Sequence, residues 1–149
     1  MCRLFHKSKP LPTGFPIYTM PYADLIKELQ LRGIEWMCKP QFRPDREVRY
    51  TDLNSWNLIA PHLVSPADKY ISEGCDCDDY AKMASAKCAF DFGLNGCLEA
   101  FGTIPMGSHA FNLLVSLEDF FIVETNAGFP VAGTVLELGE HDYIATSWK

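Results

Sequence analysis

SHAFNLLVSLEDFFIVETN, residues 108–126, is the stretch of sequence that decides the fold. It contains two apolar runs on either side of a short polar turn at residues 117–118, and this pattern predicts a tight β-hairpin. If those two residues form the tip of the hairpin, Ser116 faces Asp119. That one position then fixes the partner of each remaining residue in the two strands.

The predicted register brings three polar side chains together at one end of the hairpin. Alternate residues of a strand point to the same face, so His109 shares its face with Phe111 and, across the hairpin, with Glu124 and Asn126. Opposite residues lie about 5 Å apart at Cβ and diagonal ones roughly 7–8 Å apart. Either Glu124 or Asn126 can therefore reach the imidazole. The rest of this face is apolar, which predicts that it is buried.

A strong helix is predicted upstream of the hairpin, over about residues 75–92. Gly74 separates this helix from the segment before it, and Gly93 ends the helix. One narrow face of the helix carries only small residues, which would let a sheet approach closely, and we expect that face to pack on the apolar face of the hairpin. The small residues, at positions i, i+4, i+7, i+8 and i+11, are Cys77, Ala81, Ala84, Ser85 and Cys88.

Helices are predicted first along the chain and antiparallel strands after them, an order that indicates an α+β domain. Short helices are expected at residues 22–32, 54–64 and 66–71, the second of them broken at Pro61. Residues 34–53 are expected to form a loop with one short strand. The strand-like runs are residues 97–103, 110–117, 120–125, 129–138 and 143–148.

Length and composition limit the class of protein. A chain of 149 residues with 48% hydrophobic residues predicts one domain over residues 1–149, with residues 1–21 as a proline-rich extended arm. The net charge of -6 and the scattered Lys and Arg argue against nucleic acid as a partner. The sequence has no apolar stretch of the roughly 18 residues needed to cross a bilayer and no secretory signal at its start, so we expect a cytoplasmic protein with no membrane partner.

Cys77 is the candidate nucleophile among six cysteines that we expect to be free thiols in the cytoplasm. It stands on the first turn of the predicted helix, where unpaired backbone N–H groups and the helix dipole favour a thiolate. Asp76, Asp78 and Asp79 oppose the thiolate with like charge, so His109 would have to contribute the rest. A cysteine, a histidine and a group that orients the histidine form a nucleophile-base-orienter set.

Two motifs resemble those of the transglutaminase-like superfamily. GCDCDDYA, residues 74–81, looks like the Gly-x-Cys-x-Asp-Tyr/Phe-Ala signature that opens the catalytic helix of that superfamily, with Cys75 as one extra residue. It is especially similar to the form found in the bacterial transglutaminase-like cysteine proteinases. SHAFNL, residues 108–113, resembles the superfamily's histidine strand, His-Ala-Trp/Tyr-Asn. FIVET, residues 121–125, stands where its acid-bearing strand would fall, with Glu124 in place of the usual Asp.

The resemblance covers roughly residues 66–126 and implies a papain-like fold, in which a central catalytic helix packs on a C-terminal antiparallel sheet. It implies Cys77 as nucleophile, His109 as general base and acid, and Glu124 as the third member, for which Asn126 is the alternative. The expected activity is acyl transfer on a protein or peptide substrate, as a cysteine protease or amidase, or as a transamidase if an amine is the acceptor. No cofactor and no metal is expected.

Two other hypotheses stay open on the sequence alone. The chain could be a catalytically inactive member that serves as a binding or assembly module. It could instead be a structural zinc protein with Cys75, Cys77, His109 and Cys97 as ligands, although Cys-x-Cys occurs once with no second pair. An oxyanion would need a second donor besides the backbone N–H of Cys77. The candidates for that donor are Gln41, Trp56 and Asn57.

Overall fold

The computed structural model describes residues 10–38, 45–72 and 74–149. Within them the protein is an α+β structure, in which a six-stranded sheet is covered by helices on both faces. Residues 1–9 of the expected arm and the oxyanion candidate Gln41 lie outside the described residues. In the described part of the chain, no helix is long and apolar enough to cross a membrane.

The helices follow the predicted positions, with two differences. The second helix runs through Pro61 rather than breaking there, because this proline lies in the last turn and the helix ends two residues later. The helix expected over residues 66–71 is a single 3-10 turn, Ala67–Lys69. Gly93 ends the third helix in a left-handed conformation, with φ 68°. The helices are α1 (Tyr22–Leu31), α2 (Leu53–Leu63) and α3 (Cys77–Phe92).

The strands of the second half form an antiparallel series, and the hairpin within it has the predicted register. They are β4 (Cys97–Ile104), β5 (Gly107–Val115), β6 (Phe120–Val123), β7 (Val135–Glu137) and β8 (Ile144–Trp148), preceded by β1 (Tyr18–Pro21), β2 (Glu35–Trp36) and β3 (Glu47–Tyr50). Leu113 pairs with Ile122, and the Ser116 backbone N–H donates to the Asp119 carbonyl at 3.0 Å, as predicted. The described part of residues 34–53 holds two short strands, β2 and β3, where one was predicted.

The large sheet has the strand order β2-β8-β4-β5-β6-β7. The β2–β8 pair is parallel, and the other neighbours are antiparallel, so the sheet is mixed. Strands β1 and β3 form a separate antiparallel pair. The central position of β5, between β4 and β6, places the start of that strand at the middle of one end of the sheet. His109 lies there, in the third position of β5.

Both faces of the sheet are buried, and this places α3 on the face that we did not predict. The face that includes Phe111 and Leu113 packs against α1, whereas the small residues Ala84 and Cys88 of α3 pack with Leu114 on the opposite face. The prediction that α3 covers the His109–Phe111 face is therefore wrong. Strands β5 and β6 are almost continuously buried, so alternation of polar and apolar residues could not distinguish the two faces.

Asn112 fixes α3 against the sheet close to the first turn of the helix. This fully buried side chain donates from Nδ2 to the carbonyl of Ala81, at 2.9 Å, and to Oγ of Ser85, at 3.1 Å. Its Oδ1 accepts a hydrogen bond of 3.1 Å from Oγ1 of Thr125, which follows β6. One amide thus holds together α3, β5 and the segment after β6, which are the three elements that carry Cys77, His109 and Glu124.

Candidate active site

His109 and Glu124 form a buried pair at the start of β5. The Nε2 atom of the imidazole lies 2.7 Å from Oε2 of the carboxylate, and the two side chains are 7% and 1% exposed. Of the two partners that the register allowed, the structure selects Glu124. Asn126 instead accepts a hydrogen bond from the Gly128 backbone N–H through Oδ1, at 2.9 Å, and its own backbone N–H donates to Oε1 of Glu124, at 2.8 Å. Asn126 therefore positions the glutamate.

Tyr143 belongs to the same cluster, although it was not among the site residues predicted from the sequence. Its hydroxyl donates to Oε2 of Glu124 at 3.1 Å, so this oxygen meets both the tyrosine and the imidazole. Burial raises the pKa of Tyr143 above its ordinary value, and the negative charge of Glu124 raises it further. The ring packs edge-on against Phe111, with centroids 5.4 Å apart. No local pattern marks Tyr143, because it reaches the site from the turn before β8.

Cys77 is the first residue of α3, two residues later than the predicted start. The helix begins there because Cys75 is still engaged in a turn, in which its backbone N–H donates to the Ile71 carbonyl at 2.8 Å. Cys77, which is half-buried, lines a pocket of about 490 Å³ together with the buried His109. The other lining residues come from the first turn of α3 and from β4, β5 and β8: Asp76, Asp78, Phe101, Gly102, Thr103, Ser108, Ala110 and Thr146.

The contact with Glu124 uses one ring nitrogen of His109 and leaves the other to exchange a proton with a reaction partner. Since Glu124 engages Nε2, Nδ1 is the ring nitrogen that remains for a reaction partner. In the described part of the chain, the Cys77 thiol makes no hydrogen bond with the imidazole. Nucleophile and base are often further apart before a substrate binds than they are in the reactive complex.

Three carboxylates surround the start of α3. A hydrogen bond with Asp76 and one with Lys82 lower the pKa of Asp78, while the hydrogen bond with Asp78 raises the pKa of Asp76. Lys82 Nζ lies 2.7 Å from Asp78 and 3.2 Å from Asp79, as expected for neighbours one helical turn apart. One ammonium group therefore balances only part of the negative charge of the three carboxylates, which form an acidic rim at the start of α3.

The residues of the zinc hypothesis do not come together. Among the described residues, the one cluster of potential metal ligands is formed by Asp76, Asp78 and Asp79. Cys97 is instead fully buried against Cys88, and this contact together with burial raises the pKa of the Cys97 thiol well above its ordinary value. The five cysteines that the structure describes are free thiols, as predicted.

Two of the candidate oxyanion donors are used elsewhere. The indole N–H of Trp56, a fully buried residue, donates to the Val115 carbonyl at 2.8 Å. Nδ2 of Asn57 donates to the Leu53 carbonyl within α2, at 3.0 Å. Neither side chain lines the Cys77 pocket. The wall of that pocket carries three hydroxyl side chains. Thr103 and Ser108 are paired across β4 and β5, and Thr146 of β8 donates from Oγ1 to the Phe101 carbonyl at 3.2 Å.

Replacing Tyr143 with phenylalanine tests its hydrogen bond to Glu124. We expect a loss of about 1.5–3 kcal/mol in the free energy of unfolding at pH 7, since the hydroxyl bonds to a charged group and the ring packing is kept. The folded state raises the pKa of Tyr143, so this stabilisation is present below the tyrosine pKa of the unfolded chain, about 10, and declines above it. Urea unfolding at pH 7 and pH 11 should show a smaller difference at pH 11. An equal difference at both values would contradict the assignment.

Comparison with known proteins gives one informative likeness, which concerns the fold. No protein-family model matches the chain, and no curated protein matches it. Eight chains of solved structures do match. One of them, described as "PSL1a-E64 complex", is 24% identical with a TM-score of 0.53, over 87% of this chain and 50% of the other. This chain therefore spans about half the length of that structure and is similar to it in fold.

Proposed function

We propose that this chain is a thiol-dependent acyl-transfer enzyme, a cysteine protease or amidase in which Cys77 is the nucleophile. The observation that carries the proposal is the buried 2.7 Å contact between His109 and Glu124, at the wall of the pocket that Cys77 also lines. A nucleophile, a base and a group that holds the base are the parts needed to cleave an amide through a covalent intermediate.

The first half-reaction acylates Cys77. Nδ1 of His109 takes the thiol proton while Sγ bonds to the carbonyl carbon of a peptide or side-chain amide. The intermediate then collapses, the C–N bond breaks, and the imidazolium returns the proton to the leaving amine. Glu124 accepts the Nε2–H hydrogen bond, which keeps Nδ1 as the basic nitrogen and stabilises the imidazolium. The backbone N–H of Cys77, at the start of α3, is one donor to the oxyanion.

The second half-reaction decides the class of product. Water that attacks the thioester, with His109 as its base, gives hydrolysis, and an amine in its place gives transamidation. We favour hydrolysis of a protein or peptide substrate. The fold shared with a structure described as a complex with E64 supports this choice, because E64 is a cysteine protease inhibitor.

The family and the cellular compartment are parts of the same proposal. The cysteine and histidine motifs at residues 74–81 and 108–113 support a transglutaminase-like enzyme with a papain-like arrangement, in which Glu124 takes the place of the usual aspartate. The free thiols of the described cysteines suit a reducing compartment such as the cytoplasm.

Digestion of a complex peptide pool tests the proposed function. We expect the wild-type chain to produce new peptide ends, detected by mass spectrometry, and E64 to suppress them. Cys77→Ala should produce none. Cys75→Ala is the matched control and should remain active, because Cys75 is a half-buried thiol of the same motif that does not line the pocket. Cleavage that survives Cys77→Ala would show that Cys77 is not the nucleophile. A wild type that cuts nothing would instead favour the inactive binding module.

A further inference from the structure

His109 lines a second pocket, of about 300 Å³, in addition to the pocket of Cys77. Among the described residues, it is the one that lines both pockets, so His109 stands between them. The second pocket is formed by the 3-10 turn after α2 and by the loop after β6. Its other lining residues are Ala67, Tyr70, Asn126, Gly128 and Phe129. We infer, on the basis of the proposed function, that this pocket binds the leaving-amine side of the substrate and accepts an apolar side chain.

The position of the general acid assigns the pocket to the leaving amine. His109 must return its proton to the leaving nitrogen, and a general acid has to be within about 2.6–3.2 Å of the atom that it protonates. The leaving nitrogen therefore lies against the imidazole. The groups attached to that nitrogen point away from Cys77, whose sulfur holds the acyl part. The cavity that begins on that side of His109 is the second pocket.

The walls of the second pocket suit an apolar group. None of its described lining residues is charged, whereas the Cys77 pocket contains Asp76 and Asp78. Phe129 places its ring 4.8 Å from the imidazole centroid, and the ring of Tyr70, a residue 48% exposed, is open to solvent. A concave site with aromatic walls and few polar groups is the kind that binds aliphatic or aromatic side chains.

The two walls are tied together before any substrate arrives. Ser65 pairs with the segment after β6, since its backbone N–H donates to the Thr125 carbonyl at 2.8 Å and its carbonyl accepts from Ala127 at 3.0 Å. The Tyr80 hydroxyl of α3 donates to the Pro66 carbonyl at 2.6 Å, next to the 3-10 turn. A wall held by such bonds loses little conformational entropy when a ligand binds, which favours binding.

A binding measurement tests the pocket without depending on catalysis. Phenylalaninamide and glycinamide carry the same amine and amide and differ in the benzyl group. Titrated into the Cys77→Ala protein, phenylalaninamide should shift the NMR amide signals of Gly128 and Phe129 and bind at least about ten-fold more tightly than glycinamide. Ala67→Phe fills the pocket and should remove this preference. Ala86→Phe makes the same change at an exposed residue that lines a different cavity, and it should keep the preference.

A transfer reaction then tests the role of the pocket in catalysis. Acetylation of the Cys77 sulfur by p-nitrophenyl acetate releases p-nitrophenolate. An added amine then attacks the thioester, the C–N bond forms, the C–S bond breaks, and the proton of the amine passes through His109 to the sulfur. By reversal of the first half-reaction, this amine occupies the leaving-amine site. We expect phenylalaninamide to be acetylated about ten-fold faster than glycinamide by the wild type and by Ala86→Phe.

The possible outcomes separate this inference from the proposed function. A ratio near one for Ala67→Phe, with unchanged release of p-nitrophenolate, supports the inference. Equal binding and equal acetylation of the two amides by the wild type would overturn the inference and leave the proposed function standing. Selective binding without acetylation of Cys77 would overturn the proposed function and, with it, the leaving-amine role of the pocket.

Discussion

Replacing His109 with alanine is expected to slow the alkylation of Cys77 by iodoacetamide at pH 6 by about 10²-fold, if the two residues act as proposed. The thiolate is the reacting species, and an ordinary cysteine is only about 0.3% thiolate at this pH. A neighbouring imidazole that takes the thiol proton makes most of the sulfur reactive. The 2.7 Å contact with Glu124 stabilises the imidazolium that results. Without the imidazole, the proposed base for the thiol proton is gone.

Mass-spectrometric mapping of each cysteine against time measures this effect. Glu124→Gln should slow Cys77 by a smaller factor than His109→Ala, because it removes the charge and keeps a hydrogen-bonding group. His62→Ala is the matched control. His62 lies on α2, with its ring 6.4 Å from that of Phe92, and it does not line the Cys77 pocket. Equal rates for Cys77 in the wild type and in His109→Ala would show that the two residues do not act as a pair.

The Gly102→Ala substitution is expected to lower the free energy of unfolding by about 3 kcal/mol or more, in the range of the most damaging single substitutions. Gly102 lies in β4 between His109 of β5 and Ala145 of β8. A Cβ at this position would be 1.8 Å from the carbonyl oxygen of Ile144, which is backbone and cannot turn aside. The two strands would have to separate there, beside the pocket that Gly102 lines.

Urea unfolding followed by circular dichroism measures this loss. Gly139→Ala is the control, because Gly139 has φ +86° and no atom within 4 Å of an added Cβ. Its cost should be about 1–2 kcal/mol, from backbone conformation alone. If Gly102→Ala costs no more than Gly139→Ala, the close approach of β4 and β8 does not limit stability.

Local pattern in the sequence was enough to predict the hairpin and its register. The pairing of Leu113 with Ile122 follows from the two-residue turn between them, so no distant part of the chain is needed to set it. The face on which α3 packs could not be predicted in this way. Both faces of β5 are apolar. The helix α1 covers the face of Phe111 and Leu113, and no feature of its sequence predicts which face of the sheet it packs on.

Local sequence pattern also predicts some residues of the candidate site and not others. Cys77, His109 and Glu124 were predictable because one stands at a helix start and the other two share one face of a hairpin, close enough to touch. Tyr143 was not, since β8 is brought next to β4 by long-range pairing. The second pocket was not predictable either. Its walls come from the turn after α2 and the loop after β6, which are joined by the backbone hydrogen bonds of Ser65 and not by any local pattern in the sequence.

The parallel pairing of β2 with β8 has a consequence for the order in which the molecule folds. The series β4-β5-β6 joins neighbours in sequence, whereas Glu35 pairs with Ser147, roughly 110 residues away. Closing so long a loop costs entropy that local hairpins avoid, so the β2–β8 contact should form late. Thr146 of β8 lines the Cys77 pocket. Because β8 is held by its pairing with β4, the Cys77 pocket can be complete on that side before β2 joins the edge of the sheet.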